Sequence, residues 1–194
     1  MRFMFERKSY MNRIFLKLFV SLIRILDEKG NVSMIQSQME HFFREYYGVC
    51  YRAAFTLVKN HADAEDVAQE VLIRLLIYRP ELANKEHEKA WMIRTAINLA
   101  KDLLKSKWHK TTVAIEEVPT EERGYFQLPH METDDTLWVL LELPQKYKEC
   151  LYLFYYEDYS IREIAGVLEK PENTIKTNLR RGRELLKERL KEGN

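Results

Sequence analysis

Residues 160–189 read SIREIAGVLEKPENTIKTNLRRGRELLKER, and this run constrains the fold more than any other part of the chain. Ser160 is a good helix N-cap, and Glu163, three residues on, completes a capping box. Ile161, Ile164, Ala165 and Leu168 then share one helical face, with Ala165 small where a second helix must cross closely. After a short turn, Ile175, Leu179, Gly182, Leu186 and Leu190 recur every three or four residues and form the inner stripe of a second helix. Rotation away from that stripe places Asn173, Lys176, Thr177, Arg180 and Arg181 on the outer face. Two short amphipathic helices around a tight turn form the helix-turn-helix pattern. The outer side chains suit the base edges and phosphates of duplex DNA. A basic amphipathic helix alone is commonplace; the capping box, the small residue and the basic face together point to DNA.

Net charge is only +1, so affinity for nucleic acid has to come from local segregation of charge. Such segregation exists. Residues 114–135 carry Glu116, Glu117, Glu121, Glu122, Glu132, Asp134 and Asp135 against Arg123 alone, whereas the last helix is basic. A hydrophobic content of 46% suffices for globular cores, and the length suits one or two domains. Cys50 and Cys150 lie in apolar helical patterns, as reduced core residues of a cytoplasmic protein would. The histidines show no metal-ligand spacing. Phosphate-binding glycine loops and nucleophile elbows are absent from the sequence. No cofactor, metal, small-molecule substrate or catalytic residue is expected. With six glycines, five prolines and little β-type alternation, the chain reads as all-α: two small helical domains joined by an acidic linker. The second is expected to be a helix-turn-helix four-helix domain.

The expected organisation is a leader (1–33), a first helical domain (34–112), a linker (113–135) and a second helical domain (136–194). The leader contains IFLKLFVSLIRIL at residues 14–26, too short for a membrane span and broken by Lys17 and Arg24. Three readings stay open: a membrane-surface amphipathic helix, a signal-peptide mimic without a cleavage site, or a segment not natively translated. The run Glu28-Lys29-Gly30-Asn31 can be encoded by a purine-rich stretch resembling a ribosome-binding site just upstream of Met34.

In the first domain, residues 63–76 form a strong helix pattern with Asp63 as the expected N-cap. Ala64, Val67, Ala68, Val71, Leu72 and Leu75 make its inner stripe. The opposite face carries Asp63, Asp66, Gln69, Glu70, Ile73, Arg74 and Ile77. Ile73 and Ile77 are anomalous on an acidic face. They are either ordinary scattered apolar residues or the centre of a docking surface with a charged rim. The next helix, roughly 88–108, turns Met92, Ile93, Ala96, Leu99, Ala100, Leu103 and Leu104 inward. Outward it presents Trp91, Arg94, Asn98, Lys101, Asp102 and Lys105. Trp91 beside that basic row either stacks on an unpaired base or packs against a neighbouring helix. A polar loop with Pro80 and Asn84 precedes it.

These segments, DAEDVAQEVLIRL and WMIRTAINLAKDLLK, then LPQKYKECLYLFYYEDYSIREIAGVL followed by NTIKTNLRRGRELLKERL, resemble bacterial RNA polymerase sigma factors. The resemblance is to the extracytoplasmic-function group of the sigma-seventy family and spans about Met39 to Leu190. It implies that Asp63, Asp66, Gln69, Glu70, Ile73 and Arg74 meet core RNA polymerase. It implies that Trp91, Arg94, Asn98, Lys101 and Lys105, with the loop around Asn84, hold the melted minus-ten element of promoter DNA. Asn173, Lys176, Thr177, Arg180 and Arg181 would read the minus-thirty-five element. An anti-sigma factor is a further expected partner. The chain departs from the family where Glu169 replaces a usual glycine, and where Pro171-Glu172-Asn173 replaces a usual Ser-Glu-Gly. A left-handed backbone or a different turn is expected at Glu169, and Pro171 suits a first helical position.

Two rival readings are a stand-alone helix-turn-helix regulator and a helical adaptor tethered through the leader. The first would need a dimer interface or a ligand or phosphoacceptor domain. On the expectation that Met34 is the native start, the intact mass of the protein expressed from its own locus corresponds to a chain beginning there. A species beginning at Met1 overturns that expectation.

Overall fold

The computed structural model describes residues 32–78, 80–110 and 135–192. The leader up to residue 31 and the linker reading for 113–134 lie outside the described residues. The described residues are helical, with no strand among them. In chain order they form α1 (Val32–Glu45), α2 (Tyr47–Val58), α3 (His61–Tyr78), α4 (Lys85–Lys110), α5 (Asp135–Glu142), α6 (Gln145–Tyr155), α7 (Ile161–Leu168) and α8 (Glu172–Glu192). The chain divides into two compact units, 1–41 and 42–194, and everything below concerns the second.

Two helical groups build this unit. In the first, α2, α3 and α4 pack against one another. Helix α2 is apolar nearly all round, so it occupies the centre and buries Cys50, Ala53, Ala54, Phe55 and Leu57. It stops where Lys59 turns left-handed (φ 54°) and donates its N–H to the Phe55 carbonyl. Asn60 then caps α3: its Oδ1 accepts from the Asp63 N–H at 3.0 Å, and its carbonyl accepts from Ala64. The cap is therefore Asn60 and not Asp63, which lies inside the first turn. The expected stripe of α3 is buried as far as Leu72. Near its end Leu76 is buried and Leu75 only half-buried, because the neighbouring helices no longer follow that face. Helix α4 begins three residues earlier than expected, since Asn84 Oδ1 accepts from the His87 N–H at 2.9 Å. Met92, Ile93, Ala96, Ile97 and Ala100 are its core side, with Leu99, Leu103 and Leu104 half-buried.

The second group is α5 to α8. Leu137, Leu140 and Leu141 of α5 pack with α6 and α8, and α6 supplies Cys150, Leu151, Tyr152 and Leu153 to the core. Helix α8 crosses α6 at Gly182, where a Cβ would sit 3.0 Å from Leu151 Cδ1 and 3.2 Å from Tyr147 Cβ. The two groups touch through α2 on α6 and α4 on α7. Cys50 and Cys150 are free and buried, and burial pushes both thiols up.

Lys148 on α6 is an unusual occupant of this core, only 5% exposed. Burial, and then the charge of Lys59, depress its amine from 10.5 to about 8.

Two predictions follow from this packing. Gly182→Ala gains about 1 kcal/mol of helix propensity but overpacks a tight crossing at a cost of roughly 1–3 kcal/mol, so a net loss is expected. Gly166→Ala, with nothing within 4 Å of the new Cβ, stabilises by about 0.5–1 kcal/mol. Urea unfolding of both variants orders them; Gly182→Ala at or above Gly166→Ala contradicts this packing. For Lys148, the amine is charged in folded and unfolded chains alike below about pH 8 and carries its full burial cost there. Between about pH 8 and the ordinary 10.5 the unfolded chain binds the extra proton, so raising the pH favours folding. Lys148→Met is therefore more stable than the parent at pH 7, by an amount on the order of 2–3 kcal/mol. That margin narrows as denaturation is repeated toward pH 10; a margin constant with pH excludes the buried charge as its source.

Candidate nucleic-acid and protein interfaces

The helix-turn-helix is built by local chemistry at both ends of α7. Ser160 Oγ accepts from the Glu163 N–H at 3.3 Å, and Glu163 Oε2 accepts from the Ser160 N–H at 2.8 Å and from its hydroxyl at 2.6 Å. These hydrogen bonds hold the Glu163 carboxyl below its usual range. At the other end Glu169 is left-handed (φ 53°, ψ 46°), and the amides of Glu169 and Lys170 both turn back to the Ala165 carbonyl. The left-handed alternative expected for Glu169 is the one adopted. The Pro171 carbonyl accepts from the amides of Thr174 and Ile175. Pro171 thus precedes the first helical residue, Glu172, and does not occupy that position itself.

Helix α8 leaves this turn with Ile175, Leu179 and Gly182 buried, and with Leu186 and Leu190 half-buried. Asn173, Lys176, Thr177, Arg180 and Arg181 are all exposed, as their rotation from the stripe requires. Local bonds already engage some of them. Thr177 Oγ1 donates to the Asn173 carbonyl at 2.9 Å, and Arg180 pairs with Glu184 at 2.8 Å. Arg183, two positions beyond the expected set, is pinned by aromatic side chains. Its Nε donates to Tyr155 Oη at 2.8 Å, and its guanidinium lies 5.0 Å from the Phe154 ring centroid. Asn178 is buried among the apolar positions and directs Nδ2 to Cys150 Sγ at 3.8 Å.

On α3, Asp66 is exposed, while Asp63, Gln69, Glu70, Ile73 and Arg74 are half-buried. Arg74 and Glu70 pair at 3.1 Å across one helical turn. Beyond them Ile77 is 58% and Tyr78 70% exposed, so the C-terminal end of this face is apolar. Ile73 itself is half-buried, so of the two isoleucines only Ile77 is exposed. Tyr78 is absent from the sequence reading; its neighbour Ile77 is the signal that points to it.

The α4 face divides. Asn98 and Lys105 are exposed, whereas Trp91, Arg94 and Lys101 are half-buried. Lys101 Nζ lies 3.1 Å from Glu149 Oε2 on α6. Arg94 meets Glu169 Oε1 at 3.3 Å and donates to the Gly166 carbonyl, both at the end of α7. Asn84 uses its side chain to cap α4, which is a structural task. Lys105 pairs with Asp102 at 3.5 Å. The pairing of Glu149 and Glu169 with this basic row is not legible in the sequence, because periodicity assigns a residue to a face of its own helix. It does not say which helix lies opposite.

Among the described residues no group of histidine, cysteine and carboxylate side chains is placed to hold a metal ion. No helix among them is long and apolar enough to cross a membrane.

Residues 42–110 match the family model for Sigma-70 region 2, and residues 139–186 that for Sigma-70, region 4. The first ends with α4 and the second contains the helix-turn-helix. RNA polymerase sigma factor SigV of Bacillus subtilis (strain 168) is 31% identical over 140 residues, covering 72% of this chain and 83% of that protein. ECF RNA polymerase sigma factor SigW of the same organism is 28% identical over 178 residues, covering 85% and 93%. The fold is similar to that of the sigma factor RpoE solved in complex with the anti-sigma factor NepR from Bartonella quintana. The TM-score is 0.58 at 20% identity, covering 86% of this chain and 98% of that one. The chain belongs to the sigma-70 family of RNA polymerase sigma factors, in its extracytoplasmic-function group.

Proposed function

We propose that this sigma factor works in the cytoplasm, without catalytic chemistry of its own, by carrying core RNA polymerase to promoter DNA and capturing bases as the duplex opens. The observation that carries the reading is the separation of an acidic face with an apolar end on α3 from basic faces on α4 and α8, all in one chain. Asp63, Asp66, Gln69, Glu70, Ile73 and Arg74 bind the polymerase, and the exposed Ile77 and Tyr78 extend that surface. Trp91, Arg94, Asn98, Lys101 and Lys105 hold the unpaired minus-ten strand, with cations on phosphates and the indole available to a base. The loop before α4 takes part, with Asn84 fixing where the helix starts. Asn173, Lys176, Thr177, Arg180 and Arg181 enter the major groove at the minus-thirty-five element. The functional domains are residues 34–112 and 136–194, joined by the acidic linker 113–135. An anti-sigma factor that covers these faces is the remaining partner.

In vitro transcription with purified core polymerase and a promoter library tests this reading. Specific initiation is expected with the protein and not with core alone; initiation no better than core alone overturns it. On a promoter selected in this way, Arg181→Ala lowers initiation by about 5–150-fold if it makes a good base contact, worth roughly 1–3 kcal/mol. Nanomolar, sequence-specific duplex binding by the protein without polymerase supports the stand-alone regulator instead.

A further inference from the structure

A cavity of about 410 Å³ lies where α4, the start of α6 and the turn after α7 meet. Lys101, Pro144, Gln145, Lys146, Glu149 and Lys170 line it, and its volume falls in the usual range for small-molecule sites. Pro144, Gln145 and Lys146 form an exposed rim, while Glu149, with a side chain 2% exposed, is a buried part of the wall.

Three features of this lining point the same way. The first is charge: three lysines face one carboxylate. Lys101 and Lys170 lie 3.1 Å and 3.8 Å from Glu149 Oε2. Lys146 has no carboxylate partner among the described residues, and its ammonium lies 4.8 Å from the Tyr147 ring centroid instead. The second is the open start of α6. Pro144 makes no side-chain cap, and its carbonyl accepts from Tyr147 and Lys148. The first-turn amides of Gln145 and Lys146 take no partner among the described residues. Free N–H donors and the partial positive charge of a helix start favour an anion there. The third is an orphaned acceptor. Gln145 Nε2 donates to one oxygen of Glu149 at 2.7 Å, but the buried Oε2 has no hydrogen-bond donor. A buried acceptor in that state calls for one.

We propose that this cavity binds a phosphomonoester of sugar-phosphate or nucleotide size. Its phosphate sits against Lys146, Lys170 and the start of α6, and a hydroxyl or amine of its body donates to Glu149 Oε2. The site goes beyond promoter recognition and does not rest on that reading. Charge selects the ligand class. The lining has an excess of two positive charges, and a phosphomonoester carries about −1.5 to −2 at pH 7. A carboxylate ligand or a backbone phosphodiester brings a single charge, and a nucleoside triphosphate overshoots. Inorganic phosphate matches the charge but leaves most of the volume, and Oε2, unused.

The test is calorimetric titration of the full chain, without polymerase, in phosphate-free buffer of low salt. The probes are ribose 5-phosphate, inorganic phosphate and ribose. One ribose 5-phosphate per chain is expected, with no binding of ribose. Ribose 5-phosphate binds about tenfold tighter than inorganic phosphate, the worth of one hydrogen bond to a charged acceptor. Lys146→Met/Lys170→Met weakens it by about tenfold or more. Lys187→Met/Lys191→Met, an equal change of charge at exposed positions of α8, leaves it unchanged. Amide chemical shifts of the parent chain need no variant: ribose 5-phosphate moves those of Gln145, Lys146 and Lys170. A single-stranded oligonucleotide without a terminal phosphate separates a small ligand from a DNA backbone. If it moves the Gln145 and Lys146 amides and ribose 5-phosphate does not, the cavity belongs to nucleic acid and the proposal is overturned. Equal losses in the two lysine pairs overturn it as well, because only a nonspecific ion atmosphere then remains. So does ribose 5-phosphate that fails to saturate, or that binds no tighter than inorganic phosphate.

Discussion

Glu157 is the joint on which the arrangement of the two helical groups depends. A carboxylate with 2% of its side chain exposed is costly to bury unless charges and hydrogen bonds replace the water it has lost. Here the replacement comes from three directions: Arg52 from the centre of the first group, Lys89 from the first turns of α4, and the Tyr152 hydroxyl from α6 itself. Burial, and then the charge of Glu157, push the Tyr152 phenol well above its ordinary value, so it stays a donor throughout the physiological range. The Lys89 ammonium also lies 5.3 Å from the Tyr159 ring centroid, which ties the start of α7 to the same point. One anion therefore sets where α6, and through it the helix-turn-helix, sits against α2 and α4.

Within the second group the decisive constraint is backbone geometry. Helix α8 can cross α6 closely only because position 182 has no side chain, and that close crossing turns its opposite face to solvent. The angle at which α8 leaves α7 comes from Glu169, held left-handed by amides that share the Ala165 carbonyl. Glycine would adopt that conformation at no steric cost; a glutamate there costs on the order of 1 kcal/mol. The cost is local, whereas the carboxylate it places at Arg94 reaches the other helical group. A feature that looks like a flaw in the turn is also a contact between the groups.

Periodicity and capping chemistry carried the reading of single helices a long way. The stripes of α3, α4 and α8, the Ser160–Glu163 box and the outer set Asn173, Lys176, Thr177, Arg180 and Arg181 were legible because each follows from local spacing. The errors were local as well. Asn60 and Asp63 are both competent caps, and the choice depends on where Lys59 breaks α2, which its side chain does not announce. Leu75 and Leu76 exchange burial because the last turn of α3 runs past its neighbours. What was illegible is pairing across groups. Nothing within residues 145–157 marks Glu149 or Glu157 as buried; on sequence they look like ordinary solvated acids beside Lys146, Lys148 and Asp158. Asn178 was hidden in the same way, a polar residue whose partner, Cys150, lies on another helix.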